Sequence, residues 1–288
     1  MTFARNVLFT PREDQLRRLL LDVTEAINHD QSRHAREPTV LRWAGGWVRD
    51  KLLGLETQDI DVAINNLTGV EFARRMCEYC ESQHAIEKHG LAKDDVGNLH
   101  NVARNPDKSK HLETAMVRIF GLDIDFVNLR KEKYAESSRN PQVDFGSAEE
   151  DALRRDATIN ALFYNLSVDK IEDFTSGIRD LNAKLIRTPL EPLQTFKDDP
   201  LRVLRIIRFS SRLQFRIDPY TMKYMSDSEV LRALRIKISR ERVGIELGKM
   251  MQGKSLELLR STELLTRLLV PRQLSSAVPG THRPDWTL

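Results

Sequence analysis

The alternation of apolar and polar positions divides the chain into a mixed first part and a helical second part. In residues 12–29, Leu16, Leu19, Leu20, Val23 and Ile27 recur every three or four positions, the spacing of an amphipathic helix. A polar stretch ending at Pro38 reads as a loop. Residues 40–44 are a short apolar run that predicts a strand, broken by Gly45-Gly46, and residues 48–53 predict a short helix stopped by Gly54. A second strand is expected over 59–64. A helix follows over 70–81, with Phe72, Met76 and Tyr79 as its inner face. Residues 96–103 and 112–120 predict strands on either side of a polar loop, 105–110. Gly121 then sets up a hairpin between 112–120 and 122–129. The charged, turn-rich segment 131–147 contains Lys131, Glu132, Lys133, Ser137, Ser138, Arg139 and Pro141, and it is expected to be a mobile loop. Residues 151–160 read as helical and 161–168 as a strand, while Gly177 to Leu181 reads as a turn locking a sheet edge.

After Pro192, glycine and strand signals vanish. A helix is expected to begin around Asp198-Asp199-Pro200, with acids in its first turn as helix starts prefer. Val203, Leu204, Ile206, Ile207 and Phe209 supply its buried side. Arg202, Arg205, Arg208, Arg212 and Arg216 step by three or four along one stripe. Ser239 is placed to cap a last helix, in which Arg242 and Glu246 stand at i, i+4 and are expected to pair.

Composition narrows this only a little. The 288 residues are 40% hydrophobic and 30% charged, enough for one large or two modest domains with a core. A net charge of +3 and a sequence pI near 8.8 permit a nucleic-acid partner without requiring one. Cys77 and Cys80 form a single Cys-x-x-Cys. A structural zinc site needs four ligands, so the pair is expected to lie along one side of a helix in a reducing compartment. No run approaches the ~20 apolar residues of a membrane span, and there is no secretory apolar region. The first nine residues carry Arg5 and no acids, which leaves a mitochondrial presequence open beside a cytoplasmic or nuclear location.

Two features carry chemistry. Gly45-Gly46 lets the backbone approach a ligand closely, and its amides, with those of the helix start after it, suit a phosphate. Asp59-Ile60-Asp61 on a strand puts two carboxylates on one face, roughly 6–7 Å apart along the chain. That arrangement holds Mg²⁺ between a protein and a triphosphate. Arg49, on the helix after the glycines, is placed to reach phosphate oxygens, and Asp50 to pair with it.

Gly45-Gly46-Trp47-Val48-Arg49-Asp50 followed by Asp59-Ile60-Asp61 resembles the first signature of nucleotidyltransferases with a DNA polymerase β-like palm. Within them it is similar to the tRNA nucleotidyltransferase and bacterial poly(A) polymerase family, class II of the CCA-adding enzymes. Arg154-Arg155-Asp156 with Asn160 matches that family's second signature, Arg-Arg-Asp-x-x-x-Asn. Asp198-Asp199-Pro200-Leu201-Arg202 resembles its Glu-Asp-x-x-Arg signature, with Asp198 where bacterial members carry Glu. The resemblance implies an α+β fold: an N-terminal helix and loop over 1–37, a palm-like head over 38–186, an all-helical neck over 187–265 and an irregular tail over 266–288. The family's body and tail, which grip the tRNA elbow, are expected to have no counterpart here. The implied reaction is template-independent addition of CMP, CMP and AMP, from CTP and ATP, to the 3′ end of tRNA, with release of pyrophosphate.

The same resemblance distributes the roles. Asp59 and Asp61 hold two Mg²⁺ ions. A third acid comes from a neighbouring strand; Asn128-Leu129-Arg130 picks out Asp125, with Asp123 as the alternative. Gly45, Gly46 and Arg49 position the triphosphate, Arg154 and Arg155 face phosphates, and Asp156 and Asn160 face the ribose. Asp199 and Arg202 read the base edge, Asp198 orients Arg202, and Arg205 and Arg208 continue that nucleotide-facing stripe. No membrane or DNA partner is implied, and the oligomeric state stays open. Two other readings share these residues. One is a relative adding only CC, only A, or poly(A); the other is a non-catalytic nucleotide- or RNA-binding form.

Overall fold

The computed structural model describes residues 2–3, 7–30, 37–92, 94–97, 99–101, 114–133 and 142–251. The expected loop 105–110, the turn residues Ser137 to Pro141, the end of the neck and the tail 266–288 lie outside these residues.

Strand β1 (Thr2–Phe3) precedes helix α1 (Pro11–His29). Thr10 caps α1 in a capping box with Glu13, and Leu16, Leu19, Leu20, Val23 and Ile27 form its buried stripe. Then come β2 (Leu41–Ala44), α2 (Gly46–Leu52), β3 (Asp59–Ile64), α3 (Gly69–Cys80) and α4 (Gln83–His89). Short β4 (His100–Asn101) is followed by the hairpin of β5 (Ala115–Ile119) and β6 (Leu122–Asn128), which turns at Gly121. Cys77 and Cys80 lie on α3 as free thiols, and burial pushes the Cys80 thiol up to about 12.

The stretch read as a mobile loop is partly a second hairpin, β7 (Arg130–Lys133) against β8 (Gln142–Phe145). Its charges misled the sequence reading because Glu132 is buried among arginines instead of being solvated. Helix α5 (Ala148–Leu153) stops before the arginines, and Thr158–Asn160 is a single 3₁₀ turn. Next are β9 (Leu162–Asn165) and β10 (Lys170–Asp173). Helix α6 (Gly177–Asn182) stands where a turn was expected. The Asp173 carboxylate accepts the backbone N–H groups of Gly177 (2.8 Å) and Ile178 (3.0 Å), and this starts the helix.

Strand β11 (Leu185–Ile186) leads to α7 (Pro192–Asp198), α8 (Arg202–Leu213), β12 (Arg216–Ile217), α9 (Pro219–Met225), α10 (Ser228–Lys237) and α11 (Arg240–Met251). The helical part thus contains one short strand, since β12 pairs in parallel with β11, and Arg216 sits on that strand, off the arginine stripe. Asp198 closes α7 instead of opening α8, because Pro200 interrupts the run between them.

The main sheet has the order β1-β10-β9-β2-β3-β6-β5-β4, antiparallel throughout except for the parallel pair β3·β6. One face packs on α1 and α3 through Leu41, Trp43, Ile60, Val62, Ile124 and Phe126. The opposite face carries a small cluster of Ala44, Ala63, Ala152, Ala161 and Phe163. A separate helical core gathers Phe196, Leu204, Ile207 and Met225, together with Ala157 and Ile159 from the 3₁₀ region.

Candidate active site

Strand alternation places the acids. On β3, Ile60 and Val62 point into the main core, so Asp59 and Asp61 point to the other face. On β6, Leu122, Ile124 and Phe126 are buried the same way, which turns Asp123 and Asp125 outward. The parallel register sets Asp59 beside Asp123 and Asp61 beside Asp125. Adjacent strands lie about 4.8 Å apart, so four carboxylates share one small patch. Burial and the neighbouring carboxylates of Asp61, Asp59 and Asp123 push the Asp125 carboxyl up to about 6. Asp61 is also raised, first by burial and then by Asp59, against the pull of Arg155. The Asp61 side chain keeps exposed surface. Asp123 lies further out, with its side chain 55% exposed and Arg118 3.9 Å away.

The glycine turn closes one side of this patch. Ala44 pairs with Asp61, and Gly45 follows it with φ +65°. The positive φ is what makes the position need glycine; a Cβ there would also lie 2.7 Å from Nη1 of Arg155, whose side-chain end would have to shift. Arg155 crosses the same face, 4.8 Å above the Phe163 ring, with Nη1 donating to the Asn160 carbonyl (2.9 Å). Gly46 opens α2, whose first amides have no intrahelical acceptor.

The other expected residues form two connected groups. In the first, buried Arg49 grips Asp50 through Nε (2.8 Å) and Nη2 (2.9 Å) and donates Nη1 to Oδ1 of Asn160 (2.5 Å). Asn160 donates to Asp156 (2.9 Å), which accepts Nε of Arg205 (2.6 Å). Burial would push the Asp156 carboxyl up, but Arg205 and Asn160 overcome that and hold it at about 2. Arg49 therefore touches the candidate ribose pair and not the acid patch.

The second group is centred on two acids that the sequence reading did not single out. Asp151, on α5, binds Arg154 (2.6 Å) and Arg155 (3.0 Å) at i+3 and i+4, a spacing that could have revealed it. Glu132, on β7, faces Arg154 at 3.3 Å and Arg202 at 4.0 Å, and no local pattern signals it. The Arg154 carbonyl accepts Nη2 of Arg202 (2.5 Å). Asp199 pairs with Arg242 (3.1 Å) and Arg208 with Glu246, so the expected Arg242–Glu246 pair does not form: each finds a partner on another element. Asp198 accepts from Gln194 (2.6 Å), and burial raises its carboxyl.

Among the described residues no three His, Cys, Asp or Glu side chains close into a metal cage. The donors are instead a row of hard carboxylate oxygens open to solvent. Such a row suits Mg²⁺, which keeps several waters and shares its coordination with phosphates. The raised carboxyls of Asp61 and Asp125 are what a site made for cations would show without them.

A mixed sheet bearing paired acids beside a glycine turn, followed by a helical part, defines a nucleotidyltransferase fold. Residues 41–187 match the Poly A polymerase head domain, and the chain belongs to that family. It is 67% identical to nucleotidyltransferase lcsQ of Purpureocillium lilacinum, over 88% of this chain and 42% of that protein. To the mitochondrial CCA tRNA nucleotidyltransferase of Saccharomyces cerevisiae it is 51% identical, over 87% of this chain and 45% of that one. A solved CCA-adding enzyme, apo form II, superposes with a TM-score of 0.70 and 26% identity, over 90% of this chain and 55% of that chain. The chain thus spans less than half the length of these two curated relatives. No helix among the described residues is long and apolar enough to cross a membrane.

Proposed function

We propose that this chain carries the head and neck of a CCA-adding enzyme, which extends the 3′ end of tRNA with CMP, CMP and AMP from CTP and ATP. The carrying observation is the pairing of Asp61 with Asp125 beside the Gly45-Gly46 turn. Kinship with the yeast CCA tRNA nucleotidyltransferase supports the choice of acceptor and nucleotides. The head spans 38–186 and the neck starts at 187.

Asp59 and Asp61 are the ligands for two Mg²⁺ ions, and Asp125 is the third acid. When bound, such ions lower the pKa of the ribose 3′-hydroxyl and neutralise the leaving pyrophosphate. Gly45, Gly46 and Arg155 border the triphosphate. The Asp156–Asn160 pair meets the ribose, held from one side by Arg49 and from the other by Arg205. Asp199 accepts from the exocyclic amine that C and A carry and U lacks, and Arg202 donates to the base edge. The mitochondrion, as for the yeast relative, is the proposed place of action alongside cytoplasm and nucleus.

The test is to incubate the purified chain with a tRNA lacking CCA, Mg²⁺ and labelled CTP and ATP. Extension by three nucleotides supports the reading. Extension by CC alone, by A alone or by a run of A replaces it with that narrower activity. Nucleotide binding without any extension favours a binding form.

A further inference from the structure

We propose that Glu132 positions Arg202 for base recognition, so that a strand of the head sets the selectivity of a neck residue. The inference rests on the reading of Arg202 as a base-contacting group.

Three guanidinium groups converge on the Glu132 carboxylate: Arg130 Nε at 3.0 Å, Arg154 Nη1 at 3.3 Å and Arg202 Nη2 at 4.0 Å. The Glu132 side chain is 6% exposed. Burial and the nearby Arg154 both disfavour the charge on Arg130, and Glu132 and Asp151 offset them. Without Glu132 the three cations would face one another in a poorly solvated space. Arg154 would keep Asp151 at 2.6 Å. Arg202 would keep two backbone acceptors, Thr195 O and Arg154 O, but among the described residues it would lose the carboxylate within ion-pairing distance.

Asp198 was expected to fill this role. Its carboxylate and that of Asp156 act on Arg202 through their fields, but Asp198 is committed to Gln194 and Asp156 to Arg205 and Asn160. Glu132, Arg154, Asp198 and Arg202 all line one groove of about 290 Å³. Glu132 lies on β7 and Arg202 on α8, so this ion pair at 4.0 Å links a strand of the head to a helix of the neck.

Calorimetric titration of CTP and UTP, without acceptor, tests the role in wild type, Glu132→Gln, Glu132→Asp and Arg202→Ala. Wild type should prefer CTP, and Arg202→Ala should abolish that preference. Glu132→Gln should lose about fivefold of it, the scale of one ion pair at 4.0 Å, with UTP affinity unchanged. Glu132→Asp keeps the charge on a shorter arm and should lose about threefold, so the test survives if the Gln variant does not fold. A folded Glu132 variant with the wild-type CTP:UTP ratio overturns the inference. So does tighter CTP binding with that ratio intact, because Glu132 would then compete with the base. Absence of any CTP preference in wild type refutes the base-reading assignment itself.

Discussion

Two charged regions of this molecule are built by opposite rules. On β3 and β6 the strand register forces carboxylates side by side, and burial together with mutual repulsion raises Asp61 and Asp125. Along α8 every arginine of the stripe meets an acid: Arg202 faces Glu132, Arg205 faces Asp156, Arg208 faces Glu246 and Arg212 faces Asp50. Left-over repulsion marks the place where a cation belongs. Close pairing at Arg205 and Arg208 marks scaffolding, which holds the polar groups that a substrate would meet. The head contains the first kind of region and the head–neck junction the second. Substitutions should therefore separate them, with activity falling at the acid row and stability falling at Arg205, whose partner Asp156 is buried.

The largest expected effect is at the acid row. Asp61→Ala should lower nucleotide transfer by about a thousandfold or more, since it removes a ligand from a site whose chemistry depends on charge neutralisation. The fold should not suffer, because the substitution relieves repulsion on Asp125. Turnover above a tenth of the wild-type rate, or a large drop in melting temperature, would break the contrast.

Next comes Arg205→Ala on the paired side. It strands the buried Asp156 carboxylate and should cost about 3 kcal/mol in denaturant unfolding. The wild-type pair also has a pH signature. Asp156 is held at about 2, below its ordinary 3.8. Its stabilisation is complete above pH 3.8 and is lost as pH falls towards 2, a change of about 2 kcal/mol. Unfolding curves between pH 2 and 5 should show that slope in wild type and lack it in Arg205→Ala. A shared slope would assign it to other carboxylates.

The head was more legible than the junction, and for a physical reason. Strands and glycine turns write their geometry locally: period-two alternation fixed which way Asp59, Asp61 and Asp125 point, and Gly45 announced a backbone that side chains avoid. The parallel β3·β6 register, which puts Asp61 beside Asp125, is a long-range contact that no local pattern specifies. The arginine stripe was visible as a period, but its partners lie on other elements, 38 residues away for Arg208 and 49 for Arg205. Glu132 sat in a segment whose charge density read as a solvated loop, although its carboxylate is buried. Asp173 fell beside a stretch taken for a turn, because a cap is recognised by the backbone groups it satisfies and not by spacing alone.

The smallest effect sharpens the comparison most, because its sign is opposite to that of an ordinary active-site loss. Asp125 has its carboxyl raised from 3.8 to about 6 by burial and by neighbouring acids. Below pH 3.8 the group is protonated in both folded and unfolded chains and contributes nothing. Between 3.8 and 6 the unfolded chain releases the proton while the folded chain keeps it, so stability falls as pH rises. Above 6 the penalty is constant. Asp125→Asn removes the charge and should stabilise the fold at pH 7. Solvent screening of this half-buried group limits the gain to about 1 kcal/mol, and the gain should vanish near pH 3.5. Urea unfolding of both proteins at the two pH values measures it. A variant that is less stable at pH 7 would mean that Asp125 makes a favourable contact, and the acid row would then follow the same rule as the arginine stripe.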